Sequence, residues 1–152
     1  MNTVAGWILF LLLLPAGSQA PATSPAQPEV AEEPAWVELK GGLRYRDLVV
    51  GEGAEARSGS LLQVHYTGWL AEGGDPFDSS RTSGRAFVFA LGSGAVVAGW
   101  EKGLVGMQVG GKRELQIPAK MGYGKRGVPG RIPPDSELRF EIELLTVSAA
   151  PR

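Results

Sequence analysis

The stretch Glu137-Leu138-Arg139-Phe140-Glu141-Ile142-Glu143-Leu144 alternates charged and apolar residues without a fault. Successive side chains of a strand project to opposite faces, so Leu138, Phe140, Ile142 and Leu144 face a core and Glu137, Arg139, Glu141 and Glu143 face away. The same period of two runs outward along the chain. Leu62, Val64 and Tyr66 share one face of a second strand, with Gln63, His65 and Thr67 on the other. Residues 43–50, 87–90 and 112–117 read as further strands, and Gly51-Glu52-Gly53 and Gly110-Gly111 as turns. One segment breaks the pattern. Val97-Ala98-Gly99-Trp100-Glu101-Lys102-Gly103-Leu104 sets Val97, Trp100 and Leu104 on a single helical face. Gly99 and Gly103 each weaken such a helix by roughly 1 kcal/mol, so packing against the sheet must hold it. The expected fold class is α+β: an antiparallel sheet wrapped around one short helix.

Composition narrows the chemistry. The chain has 152 residues, which favours one domain with a small appendage. Its 15 Lys and Arg against 16 Asp and Glu leave a net charge of -1 and argue against nucleic acid as the main partner. With 0 Cys and 1 His, disulfides, thiolate nucleophiles and the usual zinc ligand sets are excluded, and no cofactor is expected. The 22 Gly and 11 Pro suit a turn-rich sheet protein, and 43% hydrophobic residues suffice for a core. No Gly-x-Ser-x-Gly elbow is present, and His65 points to the strand face opposite Tyr66. Gly92-Ser93-Gly94 lacks the Lys-Ser/Thr of a phosphate loop, so its glycines read as turns. Glu72 and Asp78 form a carboxylate pair only on paper, among loop residues with no sugar-binding context.

The N-terminal region reads differently. No side chain is charged before Glu29, and Trp7-Ile8-Leu9-Phe10-Leu11-Leu12-Leu13-Leu14 is a continuous apolar run ended by Pro15 and Gly17. That run is far shorter than the ~20 residues of a membrane-spanning helix. Ser18 and Ala20 supply the small residues a signal peptidase reads, so the expectation is an export signal cleaved after Ala20, with an uncleaved membrane anchor as the alternative. Pro21, Pro25, Pro28 and Pro34, set among Ala, Ser, Thr, Gln and Glu, read as an extended tether. The expected organisation is a signal over 1–20, a linker over 21–39, a folded domain over 40–148 and a tail over 149–152.

What remains for function is aromatic. Tyr66, Phe77, Phe87, Phe89, Trp100, Tyr123 and Phe140 come from well-separated segments. Such a set is most often simple core, since each ring buries roughly 150–250 Å². Tyr123, however, lies in the Gly/Pro-rich loop 122–134, where the mouth of a pocket is more naturally built than a core.

Five motifs in order complete the reading: Val64-His65-Tyr66-Thr67-Gly68, Phe77-Asp78-Ser79-Ser80, Val96-Val97-Ala98-Gly99-Trp100, Gly122-Tyr123-Gly124 and Ile132-Pro133-Pro134. With the closing Phe140-Glu141-Ile142-Glu143-Leu144-Leu145, they resemble the FKBP-type peptidyl-prolyl cis-trans isomerases over residues 40–147. The resemblance implies a curved antiparallel sheet around the helix, with a pocket between them. It implies Trp100 as the pocket floor and Tyr66, Phe87 and Phe140 as walls. Phe77, Val96, Val97 and Ile132 would complete the lining, and Asp78 and Tyr123 would form the polar edge. The substrates implied are proline-containing polypeptides, and the family's macrolide inhibitors would occupy the same pocket. A monomer is expected, exported to a periplasm or secreted, with no membrane in its mature form. The alternative is a peptide-binding or chaperone module with little turnover. The chain departs from the family pattern at Gly73-Gly74-Asp75-Pro76, one residue longer than the commonest spacing, at Val97, where Ile is usual, and at Arg131, where a small or apolar residue is common.

Overall fold

Among the described residues nine short elements follow one another: β1 (Val37–Glu38), β2 (Arg44–Val49), β3 (Ser60–Leu70), β4 (Asp78–Ser79), α1 (Ser80–Ser83), β5 (Phe87–Ala90), α2 (Ala98–Gly103), β6 (Lys112–Ile117) and β7 (Leu138–Ala149), with 3-10 turns at Lys40–Gly42 and Ala119–Met121. The computed structural model describes Gly17 and residues 32–149. Gly17 apart, the expected signal, the tether as far as Ala31 and residues 150–152 lie outside the described residues.

All strand pairs are antiparallel, in the order β1-β2-β6-β7-β3-β4, with β5 also pairing with β3. The strand with the cleanest alternation, β7, therefore lies in the middle of the sheet. Leu138, Phe140, Ile142 and Leu144 are buried as their spacing requires. The alternation then shifts phase. Val64 pairs with Leu144 but Gln63 pairs with Thr146, so Leu145 is the extra residue of a bulge. Beyond it Val147, opposite Leu62, packs against the core.

The α2 helix lies across β6 at a distance only glycine permits. A Cβ at Gly99 would sit 2.5 Å from Ile117 Cγ2, and one at Gly103 would sit 2.7 Å from Leu115 Cδ2. The two glycines are four residues apart and so share a helix face, which packs on β6. Trp100 and Leu104 are buried in the same core. A second tie runs from β6 to the end of this helix. Arg113, only 4% exposed, donates from Nη1 to the Gly103 carbonyl at 2.9 Å and the Val105 carbonyl at 3.3 Å. Its Nε and Nη2 reach Asp47 at 2.6 and 3.0 Å, and its guanidinium lies 4.0 Å from the Tyr45 ring centre. Arg113 thus satisfies carbonyls that a helix end leaves open.

The sheet begins before Lys40. Val37 and Glu38 pair with Tyr45 and Arg44, so the last residues of the expected linker belong to the sheet. The cause is Trp36, whose ring meets the guanidinium groups of Arg44 and Arg46 at 4.9 and 4.7 Å. The strand and helical turn at β4 and α1 are also additions to the sequence reading. Ser79 caps α1 by accepting from the Arg81 N–H.

Candidate active site

Between α2, β3, β5 and the loop 122–134 opens a cleft of about 370 Å³, lined by Tyr66, Phe77, Asp78, Phe87, Ala95, Val96, Val97, Trp100, Tyr123 and Phe140. Trp100, 4% exposed, lies at the centre of its aromatic wall. Its ring is 5.1 Å from Tyr66 at 79°, 5.3 Å from Phe140 at 88° and 6.1 Å from Phe87 at 79°. These edge-to-face arrangements are the ones the aromatic quadrupole favours. Phe77 adds an edge contact to Phe140 at 5.5 Å and 88°. Gly68 makes that contact possible, because a Cβ there would lie 2.6 Å from Phe140 and 2.7 Å from Phe77.

The polar groups are few and fixed. The Tyr66 hydroxyl donates to Asp78 Oδ2 at 2.7 Å, across the β3–β4 pair. Burial raises the Tyr66 phenol well above its ordinary value of 10.0, and the hydrogen bond to Asp78 raises it further. The Tyr123 phenol is raised too, first by burial and then by the negative charge of Asp78. Both rings therefore present neutral hydroxyls at physiological pH. Tyr123 is 40% exposed, which answers the core alternative for this residue. Its loop is pinned by Gly127 N–H to Tyr123 O at 3.1 Å and by Asp135 N–H to Gly124 O at 2.9 Å.

Of the expected lining residues, nine converge and one does not. Ile132 is 4% exposed, packs into the hydrophobic core and is absent from the cleft wall. Its backbone exchanges two 2.8 Å hydrogen bonds with Val128, so it anchors the loop from beneath. An apolar side chain flanked by Arg131 and two prolines is driven into the core while its neighbours stay at the surface. In this structure Ile132 therefore supports the loop that carries Tyr123, beside the lining the family motif implies.

Three contributors escaped the sequence reading. Ala95 lines the cleft, and only its place beside Val96 and Val97 signals this. Ser80 is buried; its Oγ accepts from the Tyr66 N–H at 2.8 Å and meets His65 Nδ1 at 3.0 Å, which fixes the strand that carries Tyr66. Glu101 reaches back from α2 to accept from Gly92 N–H, and from Gly94 N–H at 2.9 Å, tethering the loop that leads to Ala95, Val96 and Val97.

The fold and cleft define a class: a small antiparallel sheet protein with an aromatic slot shaped for an apolar ring, with phenols and one carboxylate at the rim and no Ser, Cys, His or Lys in the lining. Residues 52–145 match the model of the FKBP-type peptidyl-prolyl cis-trans isomerase family. The chain is 51% identical over 107 residues to an FK506-binding protein of Neisseria meningitidis serogroup B, covering 70% of this chain and 97% of that protein. It is 51% identical over 96 residues to the peptidyl-prolyl cis-trans isomerase FPR2 of Saccharomyces cerevisiae, covering 63% of this chain and 71% of that one. A crystal structure of AtFKBP13 superposes with a TM-score of 0.70 at 39% identity, over 75% of this chain and 99% of the other. The chain belongs to the FKBP-type peptidyl-prolyl cis-trans isomerase family, and its activity is rotation about X-Pro peptide bonds.

Proposed function

We propose that the cleft is where the X-Pro bond is bound and rotated, and that the substrates are folding polypeptides outside the cytoplasm. The carrying observation is the cluster of Tyr66, Phe87 and Phe140 around Trp100, rimmed by two neutral phenols and a carboxylate. An X-Pro bond prefers trans by only ~0.5–1 kcal/mol yet interconverts over tens to hundreds of seconds. Its barrier comes from amide resonance. Twisting the C–N bond localises the nitrogen lone pair and makes the amide less polar than in its planar state. Water solvates the planar amide better than the twisted one, so a dry aromatic slot lowers the barrier by solvent substitution and shape complementarity.

On this reading Trp100 is the floor under the prolyl ring, and Tyr66, Phe87 and Phe140 are its walls. Phe77, Val96 and Val97 exclude water around it. The Tyr123 hydroxyl donates to a carbonyl flanking the bond, and Asp78 holds the Tyr66 phenol in place. No proton leaves and no covalent bond forms. Macrolides of the kind the family binds occupy the same cleft. Export is supported by the uncharged, apolar N-terminal run and by Ser18 and Ala20 after it. The mature protein acts as a monomer.

The test is a protease-free assay of isomerisation in a short X-Pro peptide, with and without a family macrolide. Acceleration that the macrolide abolishes is the expected result. Turnover that a saturating macrolide leaves unchanged would place the reaction elsewhere.

A further inference from the structure

A second groove adjoins the aromatic cleft, with Phe77, Asp78, Ser79, Thr82, Ser83 and Arg131 among its walls. Phe77 and Asp78 line both depressions, so the two are continuous across one shared rim. The rim is thus open to the residues of a polypeptide that flank a prolyl ring seated in the cleft.

The chemistry of the second groove differs from that of the first. Arg131 is its one cationic wall residue. It is exposed, and its side chain has no ion-pair or hydrogen-bond partner among the described residues. The loop 122–134 that carries it holds Lys125, Arg126 and Arg131 and no acidic residue. Across the groove, Ser79 and Ser83 spend their hydroxyls on the carbonyls of Tyr66 at 3.1 Å and Ser80 at 3.0 Å. Asp78, the groove's only acid, has one oxygen engaged by the Tyr66 hydroxyl. The charge of Arg131 also reaches the cleft: it opposes the raising effect of burial and of Asp78 on the Tyr66 phenol. An unpaired guanidinium at the edge of a binding cleft is a planar fork suited to a carboxylate.

We infer that Arg131 makes this groove a specificity subsite for an acidic side chain flanking the X-Pro unit of the substrate. The inference rests on the functional reading above and names the substrate class within it: prolines with Asp or Glu close by in sequence.

The test is a peptide series in which one residue flanking X-Pro, on either side, is Glu, Gln or Lys. It is assayed without protease at low and high salt. For the unaltered protein, kcat/KM for the best-placed Glu peptide should exceed that for its Gln counterpart about two- to fivefold at low salt, the range of an exposed ion pair. High salt should shrink this ratio. Arg131→Gln should bring it to about one, and Arg131→Glu should invert the order of the Glu and Lys peptides. Arg126→Gln, which removes a charge from the same loop outside both depressions, should preserve the ratio. A preference for Lys in the unaltered protein would mean that Asp78 governs the groove and would overturn the inference. So would equal effects of Arg126→Gln and Arg131→Gln. If no peptide is accelerated at all, the functional reading fails. If all are accelerated alike and Arg131→Glu changes no ratio, only the subsite fails.

Discussion

Gly99→Ala in α2 sets two effects of one methyl group against each other. Alanine in place of glycine inside a helix is intrinsically worth about 0.8–1 kcal/mol in favour of folding. Here the new Cβ would meet Ile117 at 2.5 Å from Cγ2, 2.7 Å from Cδ1 and 2.8 Å from Cγ1. Ordinary carbon contacts lie at roughly 3.5–4.0 Å, so about 1 Å of overlap must be relieved. Ile117 is fully buried in the centre of the core and has nowhere to retreat, so the helix must lift from the sheet. Overpacking of this kind costs about 1–3 kcal/mol, which exceeds the propensity gain and leaves a net loss of about 1 kcal/mol. For a domain of this size the Tm falls by about 3–6 °C. Because Trp100 is the next residue, kcat/KM falls as well. Urea denaturation of Gly99→Ala, Ile117→Ala and the double variant checks the reasoning. Ile117→Ala alone costs about 2–5 kcal/mol through its cavity, and the new methyl then occupies vacated space. The double variant should therefore be more stable than the sum of the singles by about 1–3 kcal/mol. Additive losses, or a Tm raised by Gly99→Ala alone, would refute the close-approach argument.

Tyr123→Phe keeps the ring and deletes one rim hydroxyl; kcat/KM should fall about three- to tenfold, by the ~0.5–1.5 kcal/mol of a single hydrogen bond, while the Tm barely moves. Arg113→Ala opens the carbonyls of Gly103 and Val105 and strands Asp47; it should cost about 3 kcal/mol in denaturant unfolding, the low end for a broken buried pair because Asp47 is partly solvated. The raised phenols of Tyr66 and Tyr123 bind protons more tightly in the folded state, so stability is insensitive to their ionisation below about pH 9 and falls as pH rises past 10; denaturant midpoints across pH 6–11 check the sign. Over pH 6–8 isomerase activity should stay nearly flat, and a bell-shaped profile would contradict the mechanism. Intact mass of the exported product should correspond to a chain starting at Pro21.

Much of the sheet is legible because its residues obey one local rule. Residues 87–90 and 112–117 form strands over the same spans that alternation marks, and α2 falls inside 97–104. What local rules miss comes from contacts distant in sequence. Leu145 looks like one more core residue until pairing with Gln63 and Val64 shows it to be a bulge. Gly99 and Gly103 register as a helix penalty, and only Ile117 and Leu115 opposite them reveal a packing requirement. Arg113 is a charge on a core face, and nothing near it in sequence names Asp47 or the carbonyls it serves. Val37–Glu38 and Asp78–Ser79 are too short to show a period. Of the nine motif residues that meet at the cleft, Tyr66, Asp78, Phe87, Trp100 and Phe140 sit on strands or α2, and Phe77, Val96, Val97 and Tyr123 on the loops between them. Ile132 packs into the core instead, where its two backbone hydrogen bonds to Val128 turn it, and no spacing in the loop signals that direction.

The central position of β7 bears on how the protein becomes active. This strand comes last among the described elements, yet β6 and β3 both depend on it for pairing, and it carries Phe140 into the cleft. A chain emerging N-terminus first therefore holds two unjoined half-sheets until its final strand arrives. Closure then requires contacts of long sequence separation, the kind that folds slowly. Loss of Leu138–Ala149 would accordingly remove the middle of the sheet rather than trim its border, leaving a fragment with α2, most of the aromatic residues and a cleft without its Phe140 wall.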